Sequence, residues 1–142
     1  MLIGKKSGDC GLVTAFAAAA LLFVAATATA KTVYVDGVNG NDAWDGLCEE
    51  WDGGTCGPKK TIQAGITVSV DGDEVIVADA TYTGTGNRDL RLYGKAIWLH
   101  SANGPQNCIV DGLNAAIPAF TFYTEGPDSI IDGFMIKRFS AS

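Results

Sequence analysis

Between residues 104 and 133 the chain writes nearly the same line twice. Gly104-Pro105-Gln106-Asn107-Cys108-Ile109-Val110-Asp111-Gly112 returns as Gly126-Pro127-Asp128-Ser129-Ile130-Ile131-Asp132-Gly133. The Gly-Pro pairs stand 22 residues apart and the Asp-Gly pairs 21. A unit that short cannot bury its own apolar face, so recurring copies must stack on neighbours. The beat extends upstream. Apolar segments begin near Val75, Ile97 and Phe120, and a second set near Leu90, Ile109 and Ile131. Turn signals separate them: Thr83-Gly84-Thr85-Gly86-Asn87, Asn103-Gly104-Pro105, Asp111-Gly112-Leu113-Asn114 and Glu125-Gly126-Pro127.

Strands this short and closely spaced suit an antiparallel sandwich or a coiled solenoid. A sandwich has no reason to repeat at a fixed period, whereas a solenoid does. The expectation is therefore an all-β chain, a right-handed parallel β-helix of about three coils, each rising about 4.8 Å. Val75, Ile97 and Phe120 would form one inward stack, and Ile109 and Ile131 another. Thr32-Val33-Tyr34-Val35 reads as a first strand and Glu74-Val75-Ile76-Val77-Ala78 as another. Between them, Thr61 can N-cap a short helix that carries Ile62 and Ile66 on one face, although Gly65 weakens it.

The first thirty residues have a different character. Lys5 and Lys6 precede an apolar run from Leu12 to Ala26, and Ala28-Thr29-Ala30 offers small residues for cleavage before Lys31. This is the pattern of a secretory signal peptide over residues 1–30. The expected location is secreted, periplasmic or cell-surface. Loss of Lys5, Lys6 and Asp9 with the leader takes the net charge from −6 to −7. No cluster of Lys or Arg exceeds two residues, which argues against nucleic acid and anionic membrane as partners.

Residues 36–57 hold six Gly, four Asp, two Asn and two Cys without periodicity, and read as a long loop. Cys48 and Cys56 flank its Gly-rich end and are expected to pair, since export permits disulfides. Closing so short a loop contributes on the order of 2–3 kcal/mol in the chain-entropy view. Cys108 is left over in an apolar run and reads as a small buried hydrophobe.

In order along the chain stand Val33-Tyr34-Val35-Asp36, Asn39-Gly40-Asn41-Asp42 with Asp45-Gly46, Lys60-Thr61-Ile62-Gln63-Ala64, Gly72-Asp73-Glu74-Val75-Ile76-Val77-Ala78 and Thr81-Tyr82. That order resembles the opening of right-handed parallel β-helix proteins of the pectate-lyase-like superfamily, with Ala80 where the family usually has Gly. The resemblance implies an extracellular protein, often polysaccharide-associated, whose relatives include lyases, hydrolases and adhesins. A solenoid needs capped ends, and the residues from Ile136 to Ser142 carry no cap signal after only about three coils, so residues 31–142 are expected to be the N-terminal part of a longer β-helix domain with further coils beyond residue 142, or else a degenerate product.

Candidate chemistry is sparse. Asp36, Asn39, Asn41, Asp42 and Asp45 supply the hard oxygens that calcium prefers, and some lyases of the resembled family hold calcium with several acidic residues. The same residue types also build turns without metal. Trp44 and Trp51 lie in the loop and can stack on sugar faces or pack beneath it. Asp111 and Asp132, if stacked one coil apart, would set two carboxylates side by side, although both precede Gly as turn residues do. His100 stands alone, and none of Arg88, Arg91, Lys95, Lys137 and Arg138 falls in a catalytic motif. The functional expectation is a secreted or cell-surface β-helix module, carbohydrate-associated and non-catalytic as it stands, for surface attachment or carbohydrate binding. The alternative is the leading end of a polysaccharide lyase or glycoside hydrolase whose catalytic coils lie beyond residue 142.

Overall fold

The computed structural model describes residues 29–140, so the signal-peptide reading falls outside it except for its last two residues. Seven short strands and one helix follow in the order β1 (Thr32–Val35), α1 (Ile62–Val68), β2 (Glu74–Val77), β3 (Ala80–Thr83), β4 (Trp98–Ser101), β5 (Cys108–Ala115), β6 (Ile130–Asp132) and β7 (Met135–Phe139). They form two sheets, one ordered β1-β2-β4-β6 and the other β3-β5-β7. Every pairing is parallel.

Strands β1, β2 and β4 form because their residues alternate between a buried and a wetter face. In the first sheet Val33, Val75, Leu99 and Ile131 lie side by side in register, as do Val35, Val77 and Ser101. Val33, Val35, Val75, Val77 and Leu99 are at most 1% exposed. From the second sheet, Tyr82, Cys108 and Val110 join the same cluster, with Leu90, Leu92 and Ile97 from the connections. Each fully buried aliphatic side chain of this kind is worth about 1.5–3 kcal/mol against exposure. At the far end, Ile136 is in register with buried Val110 but is 51% exposed, and Ile130 and Met135 beside it are also exposed.

Helix α1 starts at Thr61, whose hydroxyl accepts the Ala64 N–H, and buries Ile62 and Ile66, as the sequence indicates. Gly65 explains its own presence. A Cβ there would lie 2.5 Å from Val35 Cγ2 and 3.3 Å from Val75 Cγ1. Helix propensity yields to close packing on β1 and β2. At the other end of the helix, the ammonium of Lys95 donates to the Ile66 and Thr67 carbonyls and that of Lys31 to the Val68 carbonyl, satisfying its last acceptors.

The expected all-β, three-coil right-handed β-helix is corrected by this topology. The chain makes two small parallel sheets with one short helix, a small mixed α/β arrangement. The intervals between paired residues are 42, 24 and 32 in the first sheet and 28 and 26 in the second, not a constant 22. The proposed stacks dissolve accordingly. Val75 pairs with Leu99 rather than Ile97, Phe120 bridges to Leu90, and Ile109 pairs with Thr81 and Met135. The twice-written line does not stack on itself either. Asp111 lies beside Lys137 in one sheet and Asp132 beside His100 in the other. The inward apolar rows fix the register, and connections of unequal length are tolerated because closure entropy grows only slowly with loop length.

Asp111 locks the β5–β7 pair. Its carboxylate is 1% exposed and accepts two hydrogen bonds from the Arg138 guanidinium and one from the Leu113 N–H at 3.0 Å, with the Lys137 ammonium 3.7 Å away. The bidentate Arg138 bonds, outweighing burial, bring its pKa down to about 2. A depressed carboxylate adds stability above its unfolded value of about 3.9, and that contribution fades as pH falls towards the folded value.

Two outcomes follow. Gly65→Ala is expected to lower stability by about 1–3 kcal/mol through overpacking, in spite of alanine's better helix propensity, as chemical denaturation reads directly. Melting temperature is expected to fall as pH drops from about 4 to about 2, and Asp111→Asn to flatten that limb while lowering stability at neutral pH. An unchanged acid limb in the variant would contradict the assignment.

Candidate functional site

A cavity of about 360 Å³ lies where the long loop of residues 36–57 folds over the outer face of the first sheet. Such a volume falls at the lower end of small-ligand clefts, roughly 300–1,000 Å³. Tyr34 of β1, Ile76 of β2, and Ala78 and Ala102 just past β2 and β4 line it from the sheet side. Asp36 and Asn39 line it from the start of the loop, and Glu49, Glu50 and Trp51 from its far arm.

Local chemistry fixes this loop to the sheet. Among the described residues the outer edge of β1 has no partner strand, and its backbone groups bond to the loop instead. The Tyr34 N–H donates to the Gly46 carbonyl, the Lys59 N–H to the Tyr34 carbonyl, and the Asp36 N–H to the Lys59 carbonyl, each at 2.8 Å. The Lys59 side chain is buried, and its ammonium donates to the Asp42 carbonyl at 3.0 Å and to the Trp44 carbonyl. A buried charge must be hydrogen-bonded, and these carbonyls serve that need. Cys48 and Cys56 form a disulfide with 5.3 Å between Cα atoms, closing the arm that carries Glu49, Glu50 and Trp51.

The five oxygen-bearing residues considered for calcium are each engaged in local structure. Asp36 accepts from the Val38 and Asn39 N–H groups and from the Asn39 amide. Asn41 accepts from the Ala43 N–H and Asp45 from the Leu47 N–H. Asp42 reaches across to the start of α1, accepting from the Lys60 and Thr61 N–H groups and from the Thr61 hydroxyl at 2.8–3.0 Å. Among the described residues, no group of three or more His, Cys, Asp or Glu side chains is placed to hold a metal ion.

The two loop tryptophans have different roles. Trp44 is half-buried, with Gly57 held so close to its ring that a Cβ would meet Cε3 at 2.5 Å. Trp51 stacks on Trp44 at 5.4 Å between centroids and 7° between planes, and its indole N–H donates to the Gly54 carbonyl. Trp51 is 56% exposed and borders the cavity. It is an aromatic surface held in a fixed orientation, with Trp44 as its support.

Asp36 is ionised at the cavity rim. Burial raises its pKa, but bonds from Asn39 and Val38 and the charge of Lys60 outweigh this and bring it below the ordinary value. Glu49 and Glu50 are exposed and take part in no ion pair among the described residues.

The remaining candidates lie elsewhere. His100 is held by Glu74 through Nε2 at 2.8 Å and faces the Ser101 carbonyl through Nδ1 at 3.1 Å, with Trp98 stacked on it at 4.1 Å. Asp111 and Asp132 are apart, and Arg91 is paired with Asp89 at 2.7 Å and lies over the Tyr123 ring. Cys108 is buried and free, and burial pushes its thiol up to about 12, which leaves it unreactive at neutral pH.

Sequence reasoning had singled out Asp36, Asn39 and Trp51 but not Tyr34, Glu49, Glu50 or the organising Lys59. The Glu49-Glu50-Trp51 run between two cysteines was a usable signal. The cavity wall contributed by Tyr34, Ile76, Ala78 and Ala102 was not, because it exists only once β1, β2 and β4 are aligned. No family model, no curated protein and no solved structure matches the chain.

Replacing both Cys48 and Cys56 by Ser is expected to release the arm between them. Limited proteolysis should then cut within residues 49–55 much faster than in the disulfide-bonded protein, with the sheet signature in circular dichroism retained and stability lower by about 2–3 kcal/mol. Equal cutting rates would show that the arm is held without the disulfide.

Proposed function

We propose that this chain is a secreted or cell-surface carbohydrate-binding module, non-catalytic as it stands, that takes a glycan segment into the cavity between the 36–57 loop and the first sheet. The observation that carries this reading is the fixed, half-exposed indole of Trp51 at the cavity, clamped by Trp44, the Gly54 carbonyl and the disulfide arm. Sugar rings present apolar C–H faces that stack on such an aromatic plane, while carboxylates and amides at the rim accept and donate to hydroxyls. Tyr34 adds a second aromatic wall, and Asp36 and Asn39 supply the polar rim. Pre-organisation matters here, because a surface already immobilised loses little conformational freedom on binding.

Titration of the purified chain with a panel of neutral, acidic and basic oligosaccharides, read by tryptophan fluorescence, tests the proposal. At least one member should bind, and Trp51→Ala should weaken it tenfold or more, about 1.4 kcal/mol, without unfolding the chain. A panel with no binder, or a Trp51→Ala variant that binds as well as the parent, would refute it.

A further inference from the structure

The charge around the cavity narrows the kind of glycan it can take. Three acidic residues line it, Asp36, Glu49 and Glu50, and among the described residues no Lys or Arg does. Lys60 turns its ammonium to the Gly37 and Val38 carbonyls and does not line the cavity. Buried Lys59 is committed to the carbonyls of Asp42 and Trp44 on the inner side of the loop. The excess of acid is not local alone, since the whole chain carries −6. A uronate polymer brought here would meet the like charge of these acidic residues, whereas a polycation would be drawn in. The aromatic surfaces point the same way. An ammonium set over an indole or phenol face is attracted by the ring quadrupole, and Trp51 and Tyr34 provide both faces.

Resting on the carbohydrate-binding reading above, we propose that the occupant is a cationic amino-sugar glycan, a chain of unacetylated hexosamine units. One sugar ring stacks on Trp51, and ring ammonium groups pair with Glu49, Glu50 and Asp36. Asp36 is held in place by its three bonds from Val38 and Asn39, so it supplies a fixed charge. Glu49 and Glu50 are free of ion pairs among the described residues, so they give up no existing partner to bind a cation.

The test is a set of titrations at a pH of about 5.5, where carboxylates are ionised and amines protonated. The probes are a glucosamine hexamer, its N-acetylated counterpart, a neutral glucose hexamer, an oligogalacturonate and hexalysine. The glucosamine hexamer should bind at least tenfold tighter than either neutral hexamer, with an affinity that weakens as salt is raised. The Glu49→Gln, Glu50→Gln double variant should lose that preference and its salt dependence, and Trp51→Ala should weaken every hexamer that binds. Equal binding of basic and neutral hexamers, or preference for the galacturonate, would overturn this inference and leave the carbohydrate reading intact. Hexalysine bound as tightly as the glucosamine hexamer would also overturn it, marking the cavity as a general polycation site. Binding of none of the sugars would overturn both.

Discussion

The alignment of Val33, Val75 and Leu99 in one parallel row is the constraint on which the rest of this protein depends. It fixes the register of β1, β2 and β4, and a slip of one residue would turn every inward valine to solvent. The same alignment sets the outward residues. Tyr34 and Ile76 share the outer face because Val33 and Val75 share the inner one. The cavity wall is thus a by-product of core packing. Helix α1 closes the inner side of this row, and Gly65 lets it come close enough for Ile62 and Ile66 to enter the cluster.

A parallel sheet leaves an edge, and an exposed edge is both a hazard and an opportunity. At β1 the edge is occupied by the chain's own loop, through backbone bonds at Tyr34, Asp36 and Lys59. The buried ammonium of Lys59 draws the Asp42 and Trp44 carbonyls inward, and Asp42 in turn holds the start of α1. Asp36, Asn41 and Asp45 likewise accept backbone N–H bonds that shape the loop. Beyond it lies the outer arm, where the disulfide and the Trp44–Trp51 stack hold an aromatic surface beside Glu49 and Glu50, which enter no ion pair among the described residues.

Much of this was legible in residue order. The first strand, the Thr61-capped helix, the Glu74–Val77 strand, the Cys48–Cys56 bridge and the burial of Cys108 all follow from local signals that need no tertiary context. The repeat misled. Its Asp-Gly copies look like one position on successive turns, yet Asp111 is buried under Arg138 in one sheet and Asp132 is exposed in the other. Register is a long-range property set by apolar rows, and equal spacing in sequence does not determine it. The site was half legible for the same reason. Asp36, Asn39 and Trp51 could be picked out by residue type, but Tyr34 and Ala102 enter the site only through strand alignment, and Lys59 reveals its role only through burial.

Hydrogen–deuterium exchange across glycan binding tests the central claim, that the loop and the sheet face together form one binding cavity. The account requires added protection in two separated stretches at once, residues 34–39 and 49–51, with the β5–β7 pair unaffected. Protection confined to the β6 and β7 end, or spread evenly over the chain, would contradict it.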